Sequence, residues 1–282
     1  MDGWTGKSVN DETASLASSP EPRARSQAPG AESPRVVSPV HPSTRPPVHL
    51  LVEHLGLMPY GDALEYQRAV ARARIGGEIP HDVLLLVEHP PVVTLGRTSK
   101  ERHLLASPEM LAARGIELFE VERGGDVTFH GPGQLVGYPI IDLKQHRRDL
   151  HWYLRSLEAA LIAALGEFGL PAERNVGLTG VWTHGRKIAS IGVHARDWVT
   201  WHGFALNVST DLSFFDVMVP CGIEAVTMTS MARELGGNTA PMPRVEAAVI
   251  DAFATAFELT PRNVTRLLGD AGVPTDGGRA LR

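Results

Sequence analysis

A chain of 282 residues with one cysteine cannot form an internal disulfide. That excludes the small secreted folds held together by cross-links and fits a reducing, cytoplasmic setting. No apolar run approaches the ~20 residues of a membrane-spanning helix, and no charged-then-apolar start marks a secretory leader. Basic residues are not in excess: 27 Lys and Arg stand against 32 Asp and Glu, for a net charge of -5. No basic stripe is left to hold a phosphate backbone, so neither nucleic acid nor membrane is an expected partner. The 12 histidines include no His-x-x-x-His pair, and Cys-x-x-Cys is absent, so metal-ligand spacing is missing. Gly-x-Ser-x-Gly, the phosphate loop and G-x-G-x-x-G are absent too, which argues against a serine hydrolase and against a nucleotide-binding loop. No metal or cofactor is expected.

What is present suffices for a folded domain, since 43% of the residues are apolar and a core can form. Residues 1–47 are rich in Ser, Pro, Ala and Arg and poor in large apolar side chains, so ordering them is not offset by burial. They are expected to be a disordered tail. A mitochondrial transit peptide is the competing reading, weakened by Asp2, Asp11, Glu12, Glu21 and Glu32. Residues 48–265 are expected to form a catalytic domain, and 266–282 a loose C-terminal tail. Within the domain, Tyr60 to Arg74 has helical spacing and stops at Gly76-Gly77. Val83 to Val87 is a continuous apolar run, expected as a strand buried on both faces. Ser107-Pro108 opens a short helix, and Leu150 to Phe168 reads as a long amphipathic one. Gly180–Thr183, Lys187–Val193 and Val199–Val208 read as a meander with turns at His184-Gly185 and Arg196-Asp197. Val245 to Phe257 is a closing helix. Mixed strands and helices with adjacent hairpins predict an α+β (mixed α/β) fold, a mixed β-sheet flanked by helices.

Four segments differ from scaffold. Arg123 to Gln134 places Arg123 and His130 beside several glycines, which suits either close approach to a ligand or a pair of hairpin turns. Lys187 starts a strand. Such a lysine is commonly solvent-facing, and the sharper alternative is one that leans into a site to hold a thiolate or move a proton. His202 to Asn207 puts a glycine inside an aromatic strand, a mark of close approach or of a bulge. Val219-Pro220-Cys221-Gly222-Ile223 sets the cysteine on a tight turn. It is either a reactive thiol or a packing residue, free cysteine being among the most buried residue types.

Together with Glu88 to Arg97, these runs resemble the octanoyltransferase family, the lipoyl(octanoyl) transferases, in order and spacing over about residues 48 to 260. The resemblance implies a fold shared with the catalytic domains of lipoate and biotin protein ligases. It also implies a reaction. An octanoyl group passes from the thioester of octanoyl-acyl carrier protein to a lysine ε-amine on lipoyl domains of 2-oxo acid dehydrogenase complexes and on the glycine cleavage H protein. By the same resemblance Cys221 is the nucleophile, and Lys187 favours its thiolate and then serves as general acid and base. The acyl slot is lined by Arg123, Gly124, Gly125, Asp126, Val127, Thr128, Phe129 and His130, by Ser190, Ile191 and Gly192, and by Gly203, Phe204 and Ala205. Backbone N–H groups at Cys221-Gly222, or in the Gly-rich run, are candidates to hold the oxyanion. The expected state is a monomer. An ATP-dependent ligase of the same fold and a non-catalytic module that binds lipoyl domains or acyl carrier protein are the rivals. Only the transferase requires the cysteine.

Overall fold

A computed structural model describes residues 49–220, 226–238 and 240–268. Cys221 therefore lies outside the described residues, as do 1–48 and 269–282, where the two expected tails fall. The chain begins with strand β1 (His49–Leu57), helix α1 (Tyr60–Gly76), β2 (Asp82–Glu88), β3 (Val92–Leu95), α2 (Pro108–Ala113), β4 (Glu117–Glu120), β5 (Val127–His130) and β6 (Gln134–Ile140). Helix α3 (Leu150–Gly166) follows, then β7 (Val181–Thr183), β8 (Arg186–Arg196), β9 (Val199–Asn207), α4 (Met231–Glu234), α5 (Met242–Phe257) and β10 (Thr260–Asn263). Seven strands form one mixed sheet in the order β10-β1-β2-β6-β9-β8-β7, and three form a second sheet in the order β4-β3-β5.

Alternation along the strands decides which helix covers which face. Leu84 and Leu86 of β2 pack with Tyr153, Leu157 and Leu161 of α3 and with Val249 and Phe253 of α5. Val83, Leu85 and Val87 point the other way, onto Ala63, Tyr66 and Val70 of α1. With both faces covered, β2 has no polar side to spare, which accounts for its unbroken apolar run. Each such buried Leu or Val contributes roughly 1.5–3 kcal/mol relative to an exposed one. Polar caps set the helix starts: Asp149 accepts from the Trp152 N–H of α3 at 3.0 Å, and Ser107 accepts from the Met110 N–H of α2 at 3.3 Å.

The hairpin turns refine the sequence reading. His184 and Gly185 both have positive φ, 48° and 73°, between the paired Thr183 and Arg186, so the β7–β8 turn falls where expected. The β8–β9 turn instead occupies Asp197 and Trp198, at φ 52° and 64°, because Arg196 is still paired with Val199. The turn thus lies one residue later than the sequence suggested.

Candidate active site

Strands β6, β8 and β9 of the large sheet, β5 of the small sheet and the start of α1 enclose a cavity of about 180 Å³. An apolar cavity of ~150 Å³ accommodates a six-carbon ring, so this space matches a short aliphatic chain in size. The expected slot residues Arg123, Gly125, Asp126, Val127, Thr128 and His130 line it from the small-sheet side. Ser190, Ile191 and Gly192 of β8 and Gly203, Phe204 and Ala205 of β9 line it from the other. Lys187 is among the lining residues and is only 2% exposed. The solvent-facing alternative for this lysine is thereby set aside.

Two expected slot residues are not in the wall. Phe129 alternates away from Thr128 and His130 and stacks on Phe214, with ring centroids 4.7 Å apart, in the core of the small sheet. Gly124 donates its N–H to the Val193 carbonyl at 2.8 Å, so the Gly-rich run meets strand β8 there, and this N–H is not offered to an oxyanion. Five lining residues stood outside the expected set: Tyr60, Val136, Tyr138, Thr179 and His202. His202 had a signal, since it opens the aromatic strand with the glycine. Its φ of 54° turns its N–H out of the ladder to Gln67 Oε1 at 2.8 Å. Tyr60, Val136, Tyr138 and Thr179 carried none, because each reads as an ordinary helix, strand or loop residue.

The run from Glu88 to Arg97 supports the site from behind. Arg123 donates through Nη2 to the Thr94 carbonyl at 2.7 Å and to Thr94 Oγ1 at 2.8 Å, and through Nε to the same hydroxyl at 3.3 Å. A Cβ on Gly96 would stand 2.7 Å from Arg123 Nη1, so only glycine leaves the guanidinium its place. Glu88 Oε2 accepts from the Gly133 N–H at 2.7 Å. Asp126 accepts from the Val127 N–H at 2.7 Å and from His103 Nδ1 at 2.6 Å. The Arg102 Nε donates to His103 Nε2 at 3.3 Å, which makes Nδ1 the protonated nitrogen of His103.

Two rings of the wall, His130 and Tyr138, stand beside the buried ring of His89. His89 donates Nδ1–H to the Met58 carbonyl at 2.8 Å, which leaves Nε2 to accept from the Tyr138 hydroxyl at 2.7 Å. Burial pushes the His89 imidazole down to about 4 and drives His130 well below its ordinary value, His130 lying also beside His89. His130 donates Nδ1–H to Gln134 Oε1 at 2.8 Å, and the Gln134 amide in turn donates to Asn207 Oδ1 at 2.9 Å. The part of the wall formed by His130 and Tyr138 is thus hydrogen-bonded yet uncharged at neutral pH, as suits an acyl chain, while the ionisable Arg123, Asp126 and Lys187 line the rest of it. A pH effect follows. The unfolded chain takes up a proton at His89 near pH 6.5 and the folded chain only near 4, so this stability is present above pH ~6.5 and is lost as pH falls toward 4. His89→Asn, which keeps a donor for Met58, should flatten the decline in urea midpoint between pH 7 and pH 4.5 by about one proton's worth of slope. An unchanged slope would contradict the assignment.

Several described residues hold Lys187 in place. Its Nζ donates to the Thr179 carbonyl at 3.2 Å and lies 5.0 Å from the centre of the Trp182 ring. Gly180 has φ 138°, and a Cβ there would stand 2.8 Å from Lys187 Cε, so the lysine stem occupies the space a side chain would fill. The Lys187 backbone donates to the Thr227 carbonyl at 2.8 Å and accepts from the Thr229 N–H at 2.9 Å. On the other side of residues 221–225, the Val219 N–H donates to the His103 carbonyl at 2.8 Å. The chain thus enters the cysteine segment from His103, whose ring holds Asp126 of the cavity wall, and leaves it alongside Lys187. Among the described residues, no group of three His, Cys, Asp or Glu side chains is placed to hold a metal ion, and no helix is long and apolar enough to cross a membrane.

Residues 59–254 match the family model of the lipoyl protein ligase A/B catalytic domain. The chain is 50% identical over 208 residues to an octanoyltransferase of Gloeobacter violaceus, covering 74% of this chain and 90% of that one. It is 52% identical over 200 residues to an octanoyltransferase of Rubrobacter xylanophilus, covering 70% and 89%. Among solved structures it is similar in fold to lipoate-protein ligase A bound with ATP, with TM-score 0.63 and 18% identity over 78% of this chain and 90% of that one. It is likewise similar to the bipartite lipoate protein ligase of Thermoplasma acidophilum, with TM-score 0.62 and 18% identity over 78% and 88%.

Proposed function

The chain belongs to the lipoyl protein ligase A/B catalytic-domain family and, within it, to the octanoyltransferases, acyltransferases of protein lipoylation; on that premise we propose that it works through an acyl-enzyme on Cys221, assisted by Lys187. The donor is octanoyl-acyl carrier protein. The acceptor is a lysine of a lipoyl domain, either in a 2-oxo acid dehydrogenase complex or on the glycine cleavage H protein. The observation that carries this reading is the buried Lys187 at the cavity wall, its backbone paired with the residues that follow the cysteine segment.

The chemistry takes two steps. The Cys221 thiolate attacks the donor's thioester carbonyl, and the carrier thiol leaves with a proton given up by the Lys187 ammonium, which becomes a neutral amine. A free thiol with pKa ~8.5 is only a few per cent ionised at neutral pH, and an ammonium brought close favours the thiolate. The acceptor amine then attacks the Cys221 thioester. Its proton passes to Lys187, and the thiolate leaves, so the amide forms with no net change in the enzyme. The first exchange is between thioesters and near balanced, and the second, thioester to amide, runs downhill. ATP has no part in either. During both, the aliphatic chain lies against Ile191, Phe204 and Ala205, with the small Gly192 and Gly203 beside them leaving it room.

Intact mass spectrometry after mixing the protein with octanoyl-acyl carrier protein, without ATP, tests this. The expected result is one octanoyl adduct that peptide mapping places on Cys221 and that disappears when a lipoyl domain is added. A folded sample with no adduct would overturn the covalent route.

A further inference from the structure

We propose that Glu158, on helix α3, is a positioning residue for the Lys187 ammonium and acts through the one peptide unit that joins Thr179 to Gly180. The inference rests on the reading of Lys187 given above and names what holds that lysine in place.

Glu158 is fully buried on the apolar face of α3, between Leu157 and Leu161. A carboxylate there is costly unless it is paired and hydrogen-bonded. Its Oε2 accepts from Arg155 Nη1 at 2.6 Å and from Arg174 Nε at 3.0 Å. Two arginines would be enough to balance its charge. Yet its other oxygen, Oε1, accepts from the Gly180 N–H at 3.1 Å.

That N–H belongs to the same planar peptide as the Thr179 carbonyl, and in a trans peptide the two point in opposite directions. The carbonyl accepts from Lys187 Nζ at 3.2 Å. One rigid peptide thus has a buried carboxylate on its N–H side and the ammonium on its C=O side. An anionic acceptor on the N–H polarises the unit and strengthens the carbonyl as an acceptor. It also stops the peptide from rotating, which would carry the carbonyl away from the lysine. Arg174 also donates from Nη2 to the Arg155 carbonyl at 2.9 Å, a contact on helix α3 that does not involve the Thr179–Gly180 peptide. The arrangement matches the outer hydrogen-bond partners that orient functional side chains elsewhere.

The test compares steady-state octanoyl transfer to a lipoyl domain in Glu158→Ala, Glu158→Gln, Arg174→Met and Lys187→Ala, with thermal midpoints recorded for each. Glu158→Ala should lower kcat about 10- to 100-fold with the donor KM within about twofold. Glu158→Gln keeps an oxygen for the Gly180 N–H and should recover kcat to within about threefold of wild type. Arg174→Met leaves the peptide clamp intact, so it should lower the thermal midpoint while kcat stays within about twofold. Wild-type kcat in Glu158→Ala, or equal kcat losses in Glu158→Ala and Arg174→Met, would overturn the proposal. If Glu158→Ala does not fold, the double variant Glu158→Met, Arg174→Met replaces the ion cluster with packed apolar side chains and decides by the same fall in kcat. Full activity of Lys187→Ala would instead remove the premise. An inactive Lys187→Ala beside a fully active Glu158→Ala removes this inference alone.

Discussion

Cys221→Ser should lower octanoyl transfer by about 10³-fold or more, a loss of the size expected when a covalent nucleophile is removed. The argument is chemical. A serine hydroxyl is far less acidic than a thiol, so an ammonium that suffices to hold a thiolate leaves the alkoxide unpopulated. An ester on serine would also be a poorer acyl donor to an amine than a thioester. The substitution removes little bulk, so the fold and lipoyl-domain binding should persist, and equal thermal midpoints would confirm that the loss is catalytic. The result also separates the rivals. An ATP-dependent ligase needs no cysteine and would keep its rate, and a binding module would bind as before with no adduct in either form. Transfer by the serine variant within about tenfold of wild type would rule out Cys221 as the nucleophile.

Lys187→Met should lower kcat by about 10²- to 10⁴-fold, the range for losing a positioned proton-transfer group together with its charge. Methionine complements the alanine variant, because the lysine stem fills the space over Gly180 and keeping that bulk separates the chemistry from any effect of the cavity alanine leaves. Lys187→Arg should not restore the rate. A guanidinium does not release its proton at neutral pH, and its planar fork does not fit the contact with the Thr179 carbonyl. Rapid-quench measurements divide the effect. Both acylation of Cys221 and transfer to the acceptor should slow, the first because the thiolate is no longer favoured and the second because the amine's proton has no base. A defect confined to either step would limit Lys187 to one role. A fast Lys187→Met enzyme would show the lysine to be structural.

The elements that the sequence foretold best are those decided by local chemistry. Ser107-Pro108 and the apolar run of β2 are readable because a cap or a two-sided burial leaves its mark on neighbouring residues. The slot was legible as runs but not as walls. Phe129 and Thr128 are adjacent in sequence and point to opposite sides of β5, so a run of names over-counts what can touch a ligand. Tyr60 and Tyr138 were missed for the converse reason, each reaching the cavity from an element with no distinguishing composition. The β8–β9 turn shifted by one residue because Trp198 adopts a left-handed conformation that sequence rules assign to Gly, Asn or Asp.

The order and spacing of the motifs pointed, through their resemblance to the octanoyltransferases, to the family and the reaction class, and that resemblance named the two residues expected to carry the reaction. Those are properties of residue types and their succession along the chain. The tertiary structure alone decided that Lys187 is buried rather than solvent-facing, that the residues after the cysteine segment pair with its strand, and that Glu158, 29 positions earlier in the sequence, clamps the peptide that holds its ammonium. Such facts depend on contacts between distant segments. A carboxylate on a helix carries no sign in its own neighbourhood of which backbone N–H it will meet once the chain has folded.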